Sequence, residues 1–220
     1  MIVAHEIPVG PFAHPKNAVG GRDSIVLRGI SWQIYQALRS PEANDHLRMT
    51  YEEGCLEIMS PSKKHEQISY LIGRMIDEWT MQRGMEIHGG RSTTFSRQDL
   101  DRGLEPDNCY WIANEMRVRD RDAIDLSIDP PPDLALEVDV TSQMIPKLPI
   151  YQAIGVPEVW RWHDESLEIV VLQGAAGFLA QDRSACLPNF PVVAMVNLLR
   201  QRQSMGNNAL IRAFRKAIAG

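Results

Sequence analysis

Leu134-Ala135-Leu136-Glu137-Val138-Asp139-Val140 sets two carboxylates inside a run otherwise built of Leu, Ala and Val. Bounded upstream by the breaker Asp129-Pro130-Pro131-Pro132, the run reads as a strand. Side chains alternate across a strand, so Leu136, Val138 and Val140 share one face while Glu137 and Asp139 share the other. Acids among apolar neighbours are costly unless something pairs with them, and a divalent cation is a common pairing that leaves two or three together. An exposed polar face of a half-solvated sheet gives the same spacing. Upstream, Leu104-Glu105-Pro106-Asp107 opens a second strand candidate over 105–112. Glu105 and Asp107 share a face by the two-residue period, so two neighbouring strands could gather two to four carboxylates at one spot.

Outward from this pair, the pattern organises most of the chain. Ser31 caps a short helix through Leu38, and Glu53-Gly54 turns a hairpin with strands near 46–51 and 55–60. After Ser60-Pro61-Ser62, the residues Ile68, Leu71, Ile72, Met75, Ile76 and Trp79 recur at threes and fours, an amphipathic helix that Gly84 ends. His65 falls at the edge of its apolar stripe, either as a satisfied core-edge histidine or as a group facing a site. Short strands are expected at 85–88 and 93–96. A helix follows near 146–154, where Pro146 and Pro149 are tolerable only in a first turn and Lys147 sits at its start. Glu158 to His163 and Leu167 to Leu172 form a hairpin with Trp160 and Trp162 on one face as core cover. Residues 197–216 carry Arg200, Arg202, Arg212, Arg215 and Lys216 among apolar residues, which predicts a basic amphipathic helix. The expected organisation is an arm over 1–23, one domain over 24–196 and a basic helical tail over 197–220.

The bulk properties narrow the chemistry. With 220 residues, 44% of them hydrophobic, the chain can bury one sizeable core. A formal charge of −5 and a pI near 5.7 exclude a generic polyanion-coating protein, so nucleic-acid binding would be local. Cys55, Cys109 and Cys186 lie far apart and form neither a disulfide framework nor a zinc knuckle, which fits a reduced, cytoplasmic setting. No run approaches the ~20 apolar residues that span a bilayer. Glycine-rich nucleotide loops and a Gly-x-Ser-x-Gly elbow are both absent from the sequence.

Taken together and in order, Tyr51 through Ser62, Glu105-Pro106-Asp107, Pro132 through Val138, Lys147, Tyr151 and Gly155 through Trp160 resemble the restriction-endonuclease-like family known as Uma-two, within the PD-(D/E)xK nuclease superfamily. The resemblance covers roughly residues 30 to 175. It implies a mixed α/β fold, a central sheet flanked by helices, with Asp107 and Glu137 holding Mg2+ or Mn2+ and a lysine nearby. The residue two after Glu137 is Asp139 rather than the superfamily's lysine, so Lys147 would substitute. Asp139 would be a third metal ligand or pair with Lys147, and His65 would orient a carboxylate or water. The implied activity is metal-assisted hydrolysis of nucleic-acid phosphodiester bonds, with DNA the expected substrate and a homodimer the expected assembly. The rivals are a non-catalytic nucleic-acid-binding or assembly module on the same fold, and a hydrolase of smaller phosphoesters.

Overall fold

The structure is a computed structural model that describes residues 24–91, 93–139 and 144–219. Its elements run β1 (Ser24–Arg28), α1 (Trp32–Arg39), β2 (Arg48–Glu52), β3 (Cys55–Met59), α2 (Lys63–Gln82), β4 (His88–Gly89), β5 (Phe95–Arg97), β6 (Arg102–Leu104), β7 (Asn108–Trp111), α3 (Glu115–Val118), β8 (Leu134–Asp139), α4 (Lys147–Ile154), β9 (Glu158–His163), β10 (Ser166–Leu172), β11 (Phe178–Gln181), α5 (Val192–Leu199) and α6 (Asn207–Ile218). Among the described residues the strands form two sheets, ordered β1-β3-β2-β6-β5 and β11-β10-β9-β8-β7-β4. The first is antiparallel throughout. The second is mixed, because β8 and β9 run parallel across the α4 crossover. The second is the expected mixed, helix-flanked sheet, and the N-terminal hairpin belongs to the separate antiparallel one.

The longest helix shows how the sequence specifies its own ends. Ser62 Oγ accepts from the His65 amide at 3.3 Å, and Gly84 at φ 60° closes the helix with the Met85 amide reaching back to Thr80 O. Its apolar stripe is wholly buried and packs with α5, α6 and the Leu134, Leu136, Val138, Trp160 and Trp162 face of the second sheet. Gly73 permits a close approach, since a Cβ there would come within 2.9 Å of Asn108 Nδ2 and Tyr110 Oη on β7. The other face of that sheet packs through Ala135, Cys109 and Val159 onto α4 and onto Phe95 and Leu104 of the first sheet. The acidic face of β8 is thus enclosed between layers rather than left in water.

Both predicted hairpins form. Glu53 and Gly54 at φ 46° and 84°, and Asp164 and Glu165 at φ 47° and 56°, make two-residue loops with the twist that paired strands require. Glu165 is held there by Arg202, with Nη2 at 2.6 Å, and by Lys64 at 3.4 Å. The strand expected over 105–112 divides instead. Pro106 has no amide hydrogen to give a ladder, so β6 ends in the first sheet, the chain turns through Glu105-Pro106-Asp107, and β7 begins in the second. Of the strands expected at 85–88 and 93–96, β4 forms over His88–Gly89 and β5 over Phe95–Arg97, each shifted towards the C-terminus. The expected helix over 197–216 is two, α5 and α6, divided by turns over 200–205 and Gly206. Two basic residues of this segment are paired with acids: Arg215 with Glu78 at 2.6 and 2.8 Å, and Arg202 with Glu165. Residues 1–23, expected as an arm, lie outside the described residues, as does Val140. Among the described residues no helix is long and apolar enough to cross a membrane.

Candidate active site

Asp107 follows the break between the two sheets, and continuing the β7–β8 register by one residue sets it opposite Glu137. Its carboxylate completes the ladder that Pro106 interrupts, because Oδ2 accepts from the Val138 amide at 2.6 Å. On the same oxygen, His65 Nε2 from the first turn of α2 approaches to 3.0 Å. That contact lies outside hydrogen-bond geometry, and Asp107 Oδ1 is buried without a hydrogen-bond partner. Burial alone would raise the Asp107 pKa, but His65, the Lys147 charge and the Val138 amide outweigh it and hold the carboxyl below the usual range. His65 responds in the opposite sense: burial disfavours its charge, yet Asp107, Glu66 and Glu137 together raise its pKa.

Glu137 is 2% exposed and held by one face of α4. Lys147 Nζ donates to its Oε2 at 2.6 Å and the Tyr151 hydroxyl donates to its Oε1. Lys147 and Tyr151 are four residues apart, one turn of the same helix, so a single helix orientation aims both. Burial pushes the Glu137 carboxyl up to about 7, with Asp107 adding to the rise and Lys147 opposing it. Burial also acts against the Lys147 charge, but Glu137, Asp107 and Asp139 more than compensate, so its ammonium stays protonated.

The structure therefore brings Asp107, Glu137, Lys147 and His65 to one place. Asp139 is directed differently, with Oδ2 3.3 Å from Arg161 Nη2 on β9. Burial raises its pKa while Lys147 and Arg161 pull it down. Glu105, expected to share the face of Asp107, belongs to the first sheet's side of the corner, where it accepts from Thr94 Oγ1 at 2.9 Å. Among the described residues no group of three or more His, Cys, Asp or Glu side chains is assembled around one point for a metal. A cation held by Asp107 and Glu137 does not need a third, since Mg2+ is commonly bound through one or two carboxylates with waters and substrate oxygens filling the rest. The unpartnered Oδ1 of Asp107 is an acceptor that such an ion would satisfy.

Sequence reasoning passed over Tyr151, Arg161 and Glu57 as site residues. The four-residue step from Lys147 was the signal for Tyr151; Arg161 needed the parallel register that places it beside Glu137. Glu57 needed the tertiary structure. Buried on β3, it accepts from the Met144 amide at 3.1 Å and the Ile145 amide at 2.9 Å. It thereby anchors the segment that launches α4, and its charge lies before that helix's N-terminus, where a negative group is favoured. Glu57→Ala leaves two amides without their acceptor; it is expected to cost about 2 kcal/mol, read as a lower urea midpoint at unchanged slope.

The two-sheet α/β architecture sets Asp107 just before β7, Glu137 within β8 and Lys147 at the start of α4. A family model described as "Uma2: Putative restriction endonuclease" matches residues 32–197, and the chain belongs to that family. Among solved structures, that of "a putative nuclease belonging to DUF820" from Anabaena variabilis is similar, at 16% identity and a TM-score of 0.42, covering 76% of this chain and 90% of that one. No curated protein matches.

Proposed function

We propose that this chain is a metal-dependent nuclease that hydrolyses phosphodiester bonds in DNA, with Asp107 and Glu137 holding Mg2+ or Mn2+ and Lys147 as the catalytic cation. The observation that carries this reading is the buried Asp107–Glu137–Lys147 cluster, in which one acceptor oxygen of Asp107 stands unpartnered and the Lys147 ammonium is held against Glu137. When bound, the cation would polarise the phosphoryl oxygen and lower the pKa of a water. Lys147 keeps its proton at Nζ, so it stabilises developing negative charge rather than accepting a proton. Glu137 and Tyr151 fix where that ammonium points, and His65 and the Val138 amide fix the Asp107 carboxylate. Asp139 and Arg161 form a neighbouring pair that sets the charge around Lys147.

The test is cleavage of plasmid and linear DNA with Mg2+ or Mn2+, with EDTA, and in Asp107→Asn. Cutting is expected only with the cation, and a loss of roughly 10²-fold or more is expected in Asp107→Asn, the size typical of removing one charge-stabilising group. Cleavage that persists in EDTA overturns metal dependence. No cleavage by the wild type with either cation, alongside salt-sensitive DNA binding, would leave a binding module on a nuclease fold.

A further inference from the structure

The acid pair lies between two cavities. On the α4 side, a cavity of about 180 Å3 is bordered by Glu137, Lys147, Tyr151 and Arg161. On the α2 side, one of about 210 Å3 is bordered by Asp107 and Asn108 together with Arg48, Tyr70, Arg74 and Arg91. The second is unlike an ordinary polar crevice. Tyr70, an aromatic residue 44% exposed, stands at its wall. The Arg74 guanidinium, one turn along α2, sits 5.8 Å from that ring's centroid, and its Nη1 lies 3.3 Å from the Tyr70 hydroxyl and 3.0 Å from Asn208 Oδ1. Arg91 reaches the cavity from a left-handed backbone conformation, φ 49°, that a non-glycine residue adopts at some cost.

A single exposed aromatic is unremarkable on a protein surface. Here the ring, the guanidinium beside it and two further arginines surround the cavity that shares Asp107. Glu66 and Asp77 also line it, so attraction for an anion is local to each guanidinium rather than a broad field. At this volume it admits one protruding group and not a length of duplex.

Resting on the nuclease reading above, we propose that the α2-side cavity is a nucleotide subsite for a single-stranded or locally unpaired stretch. One unstacked base lies against Tyr70 and Arg74, and the adjoining phosphate lies by Arg48 and Arg91. Stacking on an aromatic ring and a guanidinium plane tolerates any base, because every base presents a π face. The strand would then run from this cavity past Asp107 to the Lys147 side.

The experiment is a fluorescence-polarisation titration of a labelled single-stranded oligothymidylate and a hairpin duplex against the full chain, with Ca2+ in place of Mg2+, over a range of salt. The variants are Tyr70→Ala, Tyr70→Phe, Arg74→Gln and Arg91→Asn, the last because Asn tolerates the left-handed conformation. Tyr70→Ala should weaken single-strand binding about tenfold while Tyr70→Phe retains it. Each arginine replacement should flatten the dependence of log affinity on log salt by about 0.7. All four should melt like the wild type. Unchanged affinities and slopes, Tyr70→Phe as weak as Tyr70→Ala, or tighter binding of duplex than of single strand would each overturn the subsite. If the wild type cuts DNA and the variants bind and cut as it does, the subsite falls and the nuclease reading stands. If the wild type never cuts but the variants lose the strand as described, hydrolysis falls and the subsite stands.

Discussion

Lys147→Met is expected to lower cleavage by roughly 10²-fold or more while leaving most of the apolar stem in place. The same change isolates a buried carboxylate, and breaking a buried ion pair by removing one member costs about 3 to 5 kcal/mol. Glu137 has a way to reduce that cost. Its carboxyl is pushed up to about 7 even with the ammonium present, so without Lys147 it should take a proton and become a neutral hydrogen-bonding partner of Tyr151. The destabilisation should therefore be large at pH 8 and much smaller at pH 5. At pH 8 a loss of about 3 kcal/mol would lower the melting temperature by about 6 to 12 °C for a chain of this length. The double variant Lys147→Met/Glu137→Gln should recover most of that loss and none of the activity. A double variant that melts no higher than Lys147→Met would show that the lysine stabilises the fold through something other than the Glu137 charge; unchanged turnover in the single variant would remove Lys147 from the chemistry.

The second large effect is a melting temperature that falls as pH rises from 5 to 8 in the metal-free protein. Glu137 titrates near 4.5 in the unfolded chain and at about 7 in the folded one, so the folded state binds the extra proton between those values and stability is lost as pH rises through them. Taken alone, that displacement is worth on the order of 3 kcal/mol. Asp139, raised by burial, and His65, raised by its acidic neighbours, act in the same direction. Asp107 acts oppositely, since its lowered pKa contributes stability that is lost only as pH falls below its ordinary range. A cation that binds the ionised acids should reverse the fall at pH 8: at 10 times its dissociation constant it adds about 1.4 kcal/mol. Melting curves with and without Mn2+ at both pH values, in the wild type and Glu137→Gln, check this. A metal-induced shift of equal size in the two proteins would place the ion elsewhere.

Much of the fold was readable because its signals are local. The stripe from Ile68 to Trp79, the two-residue turns and the strand around Glu137 each follow from spacing, and all form as expected. What escaped was set by non-local packing. Two acids facing outward from a strand look the same whether water or protein covers them; here α4 covers Glu137 through Lys147 and Tyr151, while Asp139 stays half-buried beside Arg161. Glu105 and Asp107 share a period but not a neighbourhood, because Pro106 redirects the chain between sheets. The turn between α5 and α6 was hidden by basic and apolar residues that continue across it. In the candidate site, Asp107, Glu137 and Lys147 were legible as residue types in order. The carboxylate that holds the lysine's helix in place was not, since Glu57 lies 87 residues from Met144.

That separation bears on when the molecule becomes competent rather than on how it works. The acids are on the second sheet, but the segment that aims Lys147 hangs from the first, so a newly made chain gathers the whole cluster only after two distant stretches have docked. Long-range closures of this kind come late in folding. A chain caught partway would hold its acids without a correctly directed lysine.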